Sequence, residues 1–375
     1  MDNTQIETKE ENKISQSTRR PVFDYIRLIA CFGIIGCHVI MDRYDLGGAT
    51  MQGIARICLP IFFLMSGSLI LTNKREEAIG KFYLKRVEKI LIPFLFYGLY
   101  YSCWINKGHK ILEMPHKASL VEAIRYLPQG LLDNLREPVY YHLWFMYALV
   151  GFYLFAPFLR KGLQALTQKD ICVLLAVILF MAAANVYLPY LGIGFGVTNY
   201  IFTWLMYPIF GYAMLQIKSK KSWWIVFGCG LVTLLLTIIW KVQAGSAEKI
   251  PSNYYDLSPQ MVIQTCGMFA LFMLIEKPLT KSNVINKIVR WLSGYTFSIY
   301  MIHGYIVLYY LGVHPGITES FGGVVKSILM VFAYSLAFSV IVDNIIVKNL
   351  QRLFHFMCEG IHKMINMKRV QAISE

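Results

Sequence analysis

Hydrophobic residues do not alternate with polar ones along this chain; they fall into long blocks parted by short polar connectors. About 20 apolar residues cross the hydrocarbon core of a bilayer as a helix. A helix also satisfies its own backbone polar groups, which lipid cannot do. Ten blocks predict ten spanning helices, over 22–41, 54–72, 90–106, 142–159, 170–188, 198–217, 223–241, 259–276, 295–312 and 324–346. The expected fold is all-α, a polytopic membrane bundle of about ten transmembrane helices. Three regions follow: a polar, disordered tail over 1–20, a membrane domain over 21–348, and a basic amphipathic tail over 349–375. No long-period repeat and no added soluble domain is visible.

The connectors decide orientation. Basic residues gather at Lys9, Lys13, Arg19 and Arg20, then at Lys74, Arg75, Lys81, Lys85, Arg86 and Lys89. Further groups are Arg160, Lys161 and Lys169, then Lys218, Lys220 and Lys221, then Lys277, Lys281, Lys287 and Arg290. With Lys348, Arg352, Lys363, Lys368 and Arg369 these make 25 of the 36 basic residues. With ten spans all six groups lie on one side, so both termini are expected in the cytoplasm. The first apolar run is too long for a cleavable leader and is expected to stay as the first span. The longest external connector, 107–140, holds Ser119 and Glu122 in capping-box spacing, which predicts a short helix there. It reads as an acceptor lid or as a solvated loop. Leu350, Leu353, Phe354, Phe356 and Met357 give the basic tail an apolar face suited to the inner membrane surface.

Composition narrows the function classes. The 375 residues are 56% hydrophobic and 15% charged, which fits a membrane protein. A net charge of +14 raises nucleic acid as a partner, yet the charge sits between apolar blocks and no phosphate loop or basic-aromatic array accompanies it. No nucleic-acid partner is expected. The eight cysteines are scattered without a CxxC pair, so neither a disulfide framework nor a metal site is expected.

Candidate chemistry starts in the first span, which carries Asp24, Arg27 and His38. Ionisable groups at membrane depth are costly and mark a site or a pathway. Arg27 and His38 are eleven positions apart, three helical turns, so they share a stripe about 16 Å long. They read as two stations along one channel. Asp24 is placed to pair with Arg27. His38 can act as a general base on a hydroxyl, or it is a structural histidine. Arg86 and Lys89 open the third span on the inner side; they suit the phosphates of a nucleotide-like donor or simply lipid headgroups. Ser66-Gly67-Ser68 reads as close helix packing. Arg43, just outside the first span, and His142 and Trp144, opening the fourth, suit an acceptor or the interfacial aromatic belt. His303 is a second histidine inside a span.

These motifs, taken in order, resemble the acyltransferase-3 family of integral membrane acyltransferases. Arg20-Pro-Val-Phe-Asp24-Tyr-Ile-Arg27 with His38 is similar to that family's Asp-x-x-Arg, ten residues, His pattern. Pro60-Ile-Phe-Phe-Leu-Met-Ser66-Gly67 resembles its second-span signature, and Lys85-Arg86 through Lys89-Ile-Leu-Ile-Pro93 its Arg-x-x-Arg and Pro pattern, with lysine at 89 in place of the second arginine. Leu143-Trp144-Phe145 and Tyr300-Met-Ile-His303 resemble its later signatures. The resemblance implies transfer of an acyl group, usually acetyl, from cytoplasmic acyl-CoA (acetyl-CoA or another) to a hydroxyl of an extracytoplasmic or lipid-linked glycan. It implies a multi-pass protein of the bacterial plasma membrane, in contact with membrane lipid, working alone or with a separate partner. Its expected site has His38 and Arg27 in the chemistry, Arg27, Arg86 and Lys89 on the donor, and Arg43, His142, Trp144 and His303 toward the acceptor, without a metal. A transporter or flippase of a lipid-linked glycan or acylated metabolite is the second reading, and a non-catalytic partner of a polysaccharide synthase the third.

Overall fold

Helices form where the apolar blocks predict them, and their ends follow local chemistry. The structure, a computed structural model, describes residues 20–40, 43–74, 77–105, 120–194, 204–251 and 254–360. α1 (Val22–Val39) starts directly after Pro21. α2 (Leu46–Arg56) is capped by Asp45, whose carboxylate accepts the Gly48 N–H at 3.1 Å. Only Ile57 separates it from α3 (Cys58–Leu71). α4 (Ile79–Arg86) passes through a π-helical turn (Val87–Leu91) into α5 (Ile92–Tyr100), which ends in a second π turn (Tyr101–Ile105). α6 (Leu120–Arg136) lies in the long connector; the Ser119 cap expected for it falls outside the described residues. α7 (Trp144–Ala165), α8 (Gln168–Tyr190), α9 (Met206–Met214) and α10 (Lys220–Ala244) follow. A single turn (Tyr254–Leu257) precedes α11 (Pro259–Leu274), α12 (Asn283–Ser293), α13 (Thr296–Val313) and α14 (Phe321–Val342).

Regular structure among the described residues is helical throughout. Six helices there are long and apolar enough to cross a membrane: α1, the α2–α3 pair, α8, α10, α13, and α14 with its extension to Gly360. The other four expected spans coincide with shorter or more polar elements. They are α5 between its π turns, α7 with Arg160 and Lys161 near its end, the nine-residue α9 and the sixteen-residue α11. Part of the 198–217 block lies outside the described residues. The chain beyond α14 does not start a new element. It continues through a π turn (Asp343–Val347) and stays helical to Gly360, because no proline or glycine interrupts residues 324–359.

α1 is the most buried of the six long helices and packs against α2, α3, α11, α12, α13 and α14. α8 and α10 are the least buried and turn Val173, Val177, Phe180, Leu231, Leu235 and Leu236 outward, as lipid-facing helices do. Lipid removes the usual hydrophobic drive between helices, so close packing holds the bundle. Gly67 of α3 lies against the backbone of Pro208, and Gly211 of α9 against the Leu64 carbonyl; neither site has room for a Cβ. Gly230 of α10 and Gly267 of α11 meet backbone to backbone in the same way.

Connector contacts divide the molecule into two ends. At one, Arg20 pairs with Glu276, and the Tyr25 hydroxyl donates to Asn286 at 2.9 Å. Asn344 donates to the Tyr295 hydroxyl at 3.3 Å, Gln351 to the Glu88 carbonyl at 2.9 Å, and Gln164 to the Leu71 and Asn73 carbonyls at 2.9 and 3.1 Å. These are the basic connectors. At the other end Arg43 reaches the Thr318 carbonyl at 3.4 Å and Tyr190 the Lys249 carbonyl at 3.2 Å.

Candidate active site

Three imidazoles from three distant segments converge. His38 stands in the last turn of α1, His142 in the turn leading into α7, and His303 inside α13. The ring of His303 lies 5.3 Å from that of His38 and 4.8 Å from that of His142. Tyrosines wall the cluster. Tyr141 is 5.2 Å from His38, Tyr300 is 5.4 Å from His303, and Tyr101 and Tyr140 are 5.8 and 5.5 Å from His142. His142 and His303 are 3% and 0% exposed, so water does not compete for them.

Backbone carbonyls in one stretch of α13 hold the assembly together. His303 Nδ1 bonds the Tyr300 carbonyl at 2.6 Å, and His142 Nε2 bonds the Met301 carbonyl at 3.2 Å. Tyr101 and Tyr141 donate to the Ile302 and Gly304 carbonyls, both at 3.4 Å. The Tyr300 hydroxyl returns a bond to the His142 carbonyl. Gly304 is what lets the His142 ring so close, since a Cβ there strikes the imidazole.

This pattern assigns the hydrogens. A carbonyl oxygen only accepts, so His303 Nδ1 and His142 Nε2 carry N–H. In the neutral rings, His303 Nε2 and His142 Nδ1 are then bare acceptors. Both atoms are buried and have no hydrogen-bond partner among the described residues. A buried acceptor left empty costs about 1–3 kcal/mol, and two such atoms beside His38 make a site that calls for a hydrogen-bond donor.

The other expected residues are placed as follows. Arg27 sits near the opposite end of α1, where Nη1 donates to Asp24 at 2.9 Å; Asp24 is buried and also accepts from Ser293 at 3.0 Å. Arg27 is thus on the helix of His38 but about 16 Å from it. Arg86 is half-buried, its guanidinium 4.9 Å from the Phe82 ring and 5.0 Å from the Tyr153 ring, with its Nε buried and without a hydrogen-bond partner among the described residues. Lys89 is exposed. It lies in the π turn Val87–Leu91, whose wider i→i+5 winding departs from the α-helical i,i+3 register that would put Arg86 and Lys89 on one face. Arg43 is bound to Asp45, Nε at 2.8 Å and Nη2 at 3.2 Å, and so steadies the start of α2. Trp144 meets the Trp204 ring tilted at 4.9 Å and the Phe145 ring edge-on at 6.4 Å, two residues from His142 but turned toward the α9 side.

The sequence reading passed over a second polar group. Arg56 ends α2 with its Cζ 5.0 Å from the Tyr255 ring. Lys241 of α10, 2% exposed, has its Nζ 4.9 Å from the Tyr44 ring and 5.6 Å from the Tyr255 ring. Asp256 sits in the single turn before α11, where burial raises its carboxyl above the usual range and Arg56 opposes that rise. Arg56 also lies within electrostatic reach of His38. The available signal was charge inside an apolar block: Arg56 in 54–72 and Lys241 in 223–241.

Fold and site together describe a multi-pass membrane protein with a buried imidazole centre. The acyltransferase-domain model of the acyltransferase-3 family matches residues 20–343, which takes in every candidate residue above, and the chain belongs to that family. No curated protein and no solved structure matches the chain.

Proposed function

We propose that the chain is an O-acyltransferase that moves an acyl group, acetyl in the first instance, from cytoplasmic acyl-CoA to a hydroxyl of an extracytoplasmic or lipid-linked glycan. It does so in the plasma membrane of a bacterium, as a ten-span bundle with both termini inside. The basic connectors gathered at one end support that orientation. One observation carries the reaction: two bare imidazole nitrogens beside His38 in a chain of the acyltransferase-3 family. A hydroxyl is the donor such acceptors need, and its proton is what acyl transfer must remove.

Acyl-CoA docks from the inner end, with its phosphates at Arg86 and Lys89 and its pantetheine arm passing Arg27. The guanidinium of Arg86 is oriented by two rings, and its Nε has no acceptor among the described residues. The thioester reaches the histidines near the outer end. His38 takes the proton of the acceptor hydroxyl, and the oxygen attacks the thioester carbonyl carbon. The C–S bond breaks, and CoA leaves as the thiolate, which regains a proton in water. In the two-step variant an imidazole nitrogen attacks first, CoA departs, and the hydroxyl then takes the acyl group from that nitrogen.

The test uses purified protein in lipid nanodiscs with labelled acetyl-CoA and a glycan acceptor. His38→Ala should abolish labelled glycan and CoA release while the protein stays folded. Wild-type turnover in that variant removes the assignment. In sealed proteoliposomes, glycan crossing the bilayer without covalent change would instead place the chain among transporters.

A further inference from the structure

We infer that α12 lies flat in the inner membrane interface and seats the headgroup of an anionic phospholipid on Lys287 and Arg290. The helix does this whatever reaction the histidines carry out. It has eleven residues and starts at Ser282, whose hydroxyl accepts the Ile285 N–H at 3.3 Å. At 1.5 Å per residue it is about 16 Å long, against about 30 Å of hydrocarbon, so it does not span.

Helical spacing sorts its side chains into three faces. Asn286, Val289 and Ser293 turn to the protein. Val289 and Ser293 are buried. The Ser293 hydroxyl donates to Asp24 at 3.0 Å, and Asn286 accepts from the Tyr25 hydroxyl at 2.9 Å and donates to the Thr280 carbonyl at 2.8 Å. Two of these bonds fasten α12 to α1, so its other faces cannot roll inward. Val284, Ile285, Ile288 and Trp291 make the second face and are 68, 51, 53 and 52% exposed. Lys287 and Arg290, both exposed, stand between the two. They are three residues apart in a regular α-helix and so are neighbours, and Trp291 lies one turn beyond Lys287.

Only one environment suits all of this. Water leaves four large apolar side chains uncovered, and the hydrocarbon core strips the cations of solvent. The headgroup boundary accepts both, with the apolar face down and the charges level with the phosphates. Tryptophan favours the same depth. The helix is also at the end of the molecule where the basic connectors gather, beside the Arg20–Glu276 pair. Charge then selects the lipid. Lys281, Lys287 and Arg290 are exposed and make no ion pair with any described residue. The nearby acids are engaged elsewhere, Glu276 by Arg20 and Asp24 by Arg27. A zwitterionic headgroup brings its own ammonium to this patch, whereas an anionic one brings net negative charge.

Quenching of Trp291 by acyl-brominated lipid tests the proposal without any turnover. Full-length protein is reconstituted with brominated phosphatidylglycerol in plain phosphatidylcholine, and with brominated phosphatidylcholine in plain phosphatidylglycerol. The part of the quenching that Trp291→Phe removes belongs to Trp291. Phosphatidylglycerol should be preferred there by about fivefold or more, the size one cation near an anionic surface supplies. The double variant Lys287→Gln/Arg290→Gln should stay quenched but lose the preference. Elution volume and thermal midpoint report folding, and if the double variant does not fold, each single variant should lose part of the preference. Trp291 emission that neither lipid quenches overturns the proposal in favour of water or a protein partner on this face. Equal quenching by the two lipids in the wild type overturns it too, as does a preference that survives in the folded variants.

Discussion

The two bare lone pairs can be removed while the bonds that hold their rings are kept. In His303→Asn the side-chain amide reaches the place of Nδ1 and still donates to the Tyr300 carbonyl, which His303 bonds at 2.6 Å. Nothing then stands at Nε2. In His142→Gln the amide reaches the place of Nε2 and still donates to the Met301 carbonyl, bonded at 3.2 Å by His142; the Nδ1 lone pair is gone. If the two lone pairs accept hydrogen bonds from separate hydroxyls of the bound acceptor, each variant forfeits one such bond at a buried atom. That is worth about 1–3 kcal/mol, or roughly 5- to 150-fold in kcat/KM. His38→Ala loses the base itself, about 10²–10⁴ in rate. Because the rings lie 4.8 and 5.3 Å apart, they should act as a unit, so His303→Asn added to His38→Ala should slow the residual rate by less than about threefold. The assay follows CoA thiol release and acetyl incorporation in nanodiscs, with the thermal midpoint as the folding control. Wild-type kcat/KM in folded His303→Asn and His142→Gln would show the lone pairs to be idle and remove the reason for assigning a hydroxyl substrate.

Three further outcomes are expected. Arg86→Leu should raise the KM for acetyl-CoA by about 5- to 30-fold, and Arg86→Lys should rescue little of it, because a planar guanidinium is what lies against Phe82 and Tyr153; steady-state kinetics with varied donor decides. Ser298→Ala should lower stability by about 1.5–3 kcal/mol, since the buried Asp343 takes bonds from that hydroxyl at 2.8 and 2.7 Å and, among the described residues, keeps a 3.4 Å bond from Tyr97; an unchanged thermal midpoint would contradict it. Gly67→Ala should cost about 1–3 kcal/mol by driving a methyl into the Pro208 backbone, while Gly80→Ala, which meets nothing within 4 Å, should leave the unfolding curve where it is.

Helical architecture was legible because block length and positive-charge placement are local properties of the chain. The contacts from Arg20 to Glu276, Gln164 to Leu71 and Gln351 to Glu88 join the connectors that the charge pattern groups together. Helix length was less legible. Hydropathy does not show that Ile57 divides the second block, that α5 is bounded by π turns, or that α11 stops at sixteen residues. Nor does it show that the basic tail starts as a continuation of α14, since amphipathic spacing describes a face and says nothing about what precedes it.

The site was legible one residue at a time and illegible as an arrangement. His38 stood out because an imidazole in an apolar block is expensive, and the same argument marked His303. What brings them within 5.3 Å is packing of α1 against α13, and no spacing rule within either helix encodes that. His142 read equally well as interfacial until Tyr300 and Gly304 were seen to draw it onto α13, 159 residues away at Met301. Arg56 shows the opposite error. Charge within an apolar block was the criterion applied to the first span, and Arg56 in the second satisfies it equally. The rule has to be applied to every block before any one is chosen, because a membrane site is assembled from the costly residues of several helices. Here those residues come from α1, α2 and α13, from the turn before α7 and from the turn before α11. The segments share few sequence neighbours, but each brings a polar group that lipid could not tolerate alone.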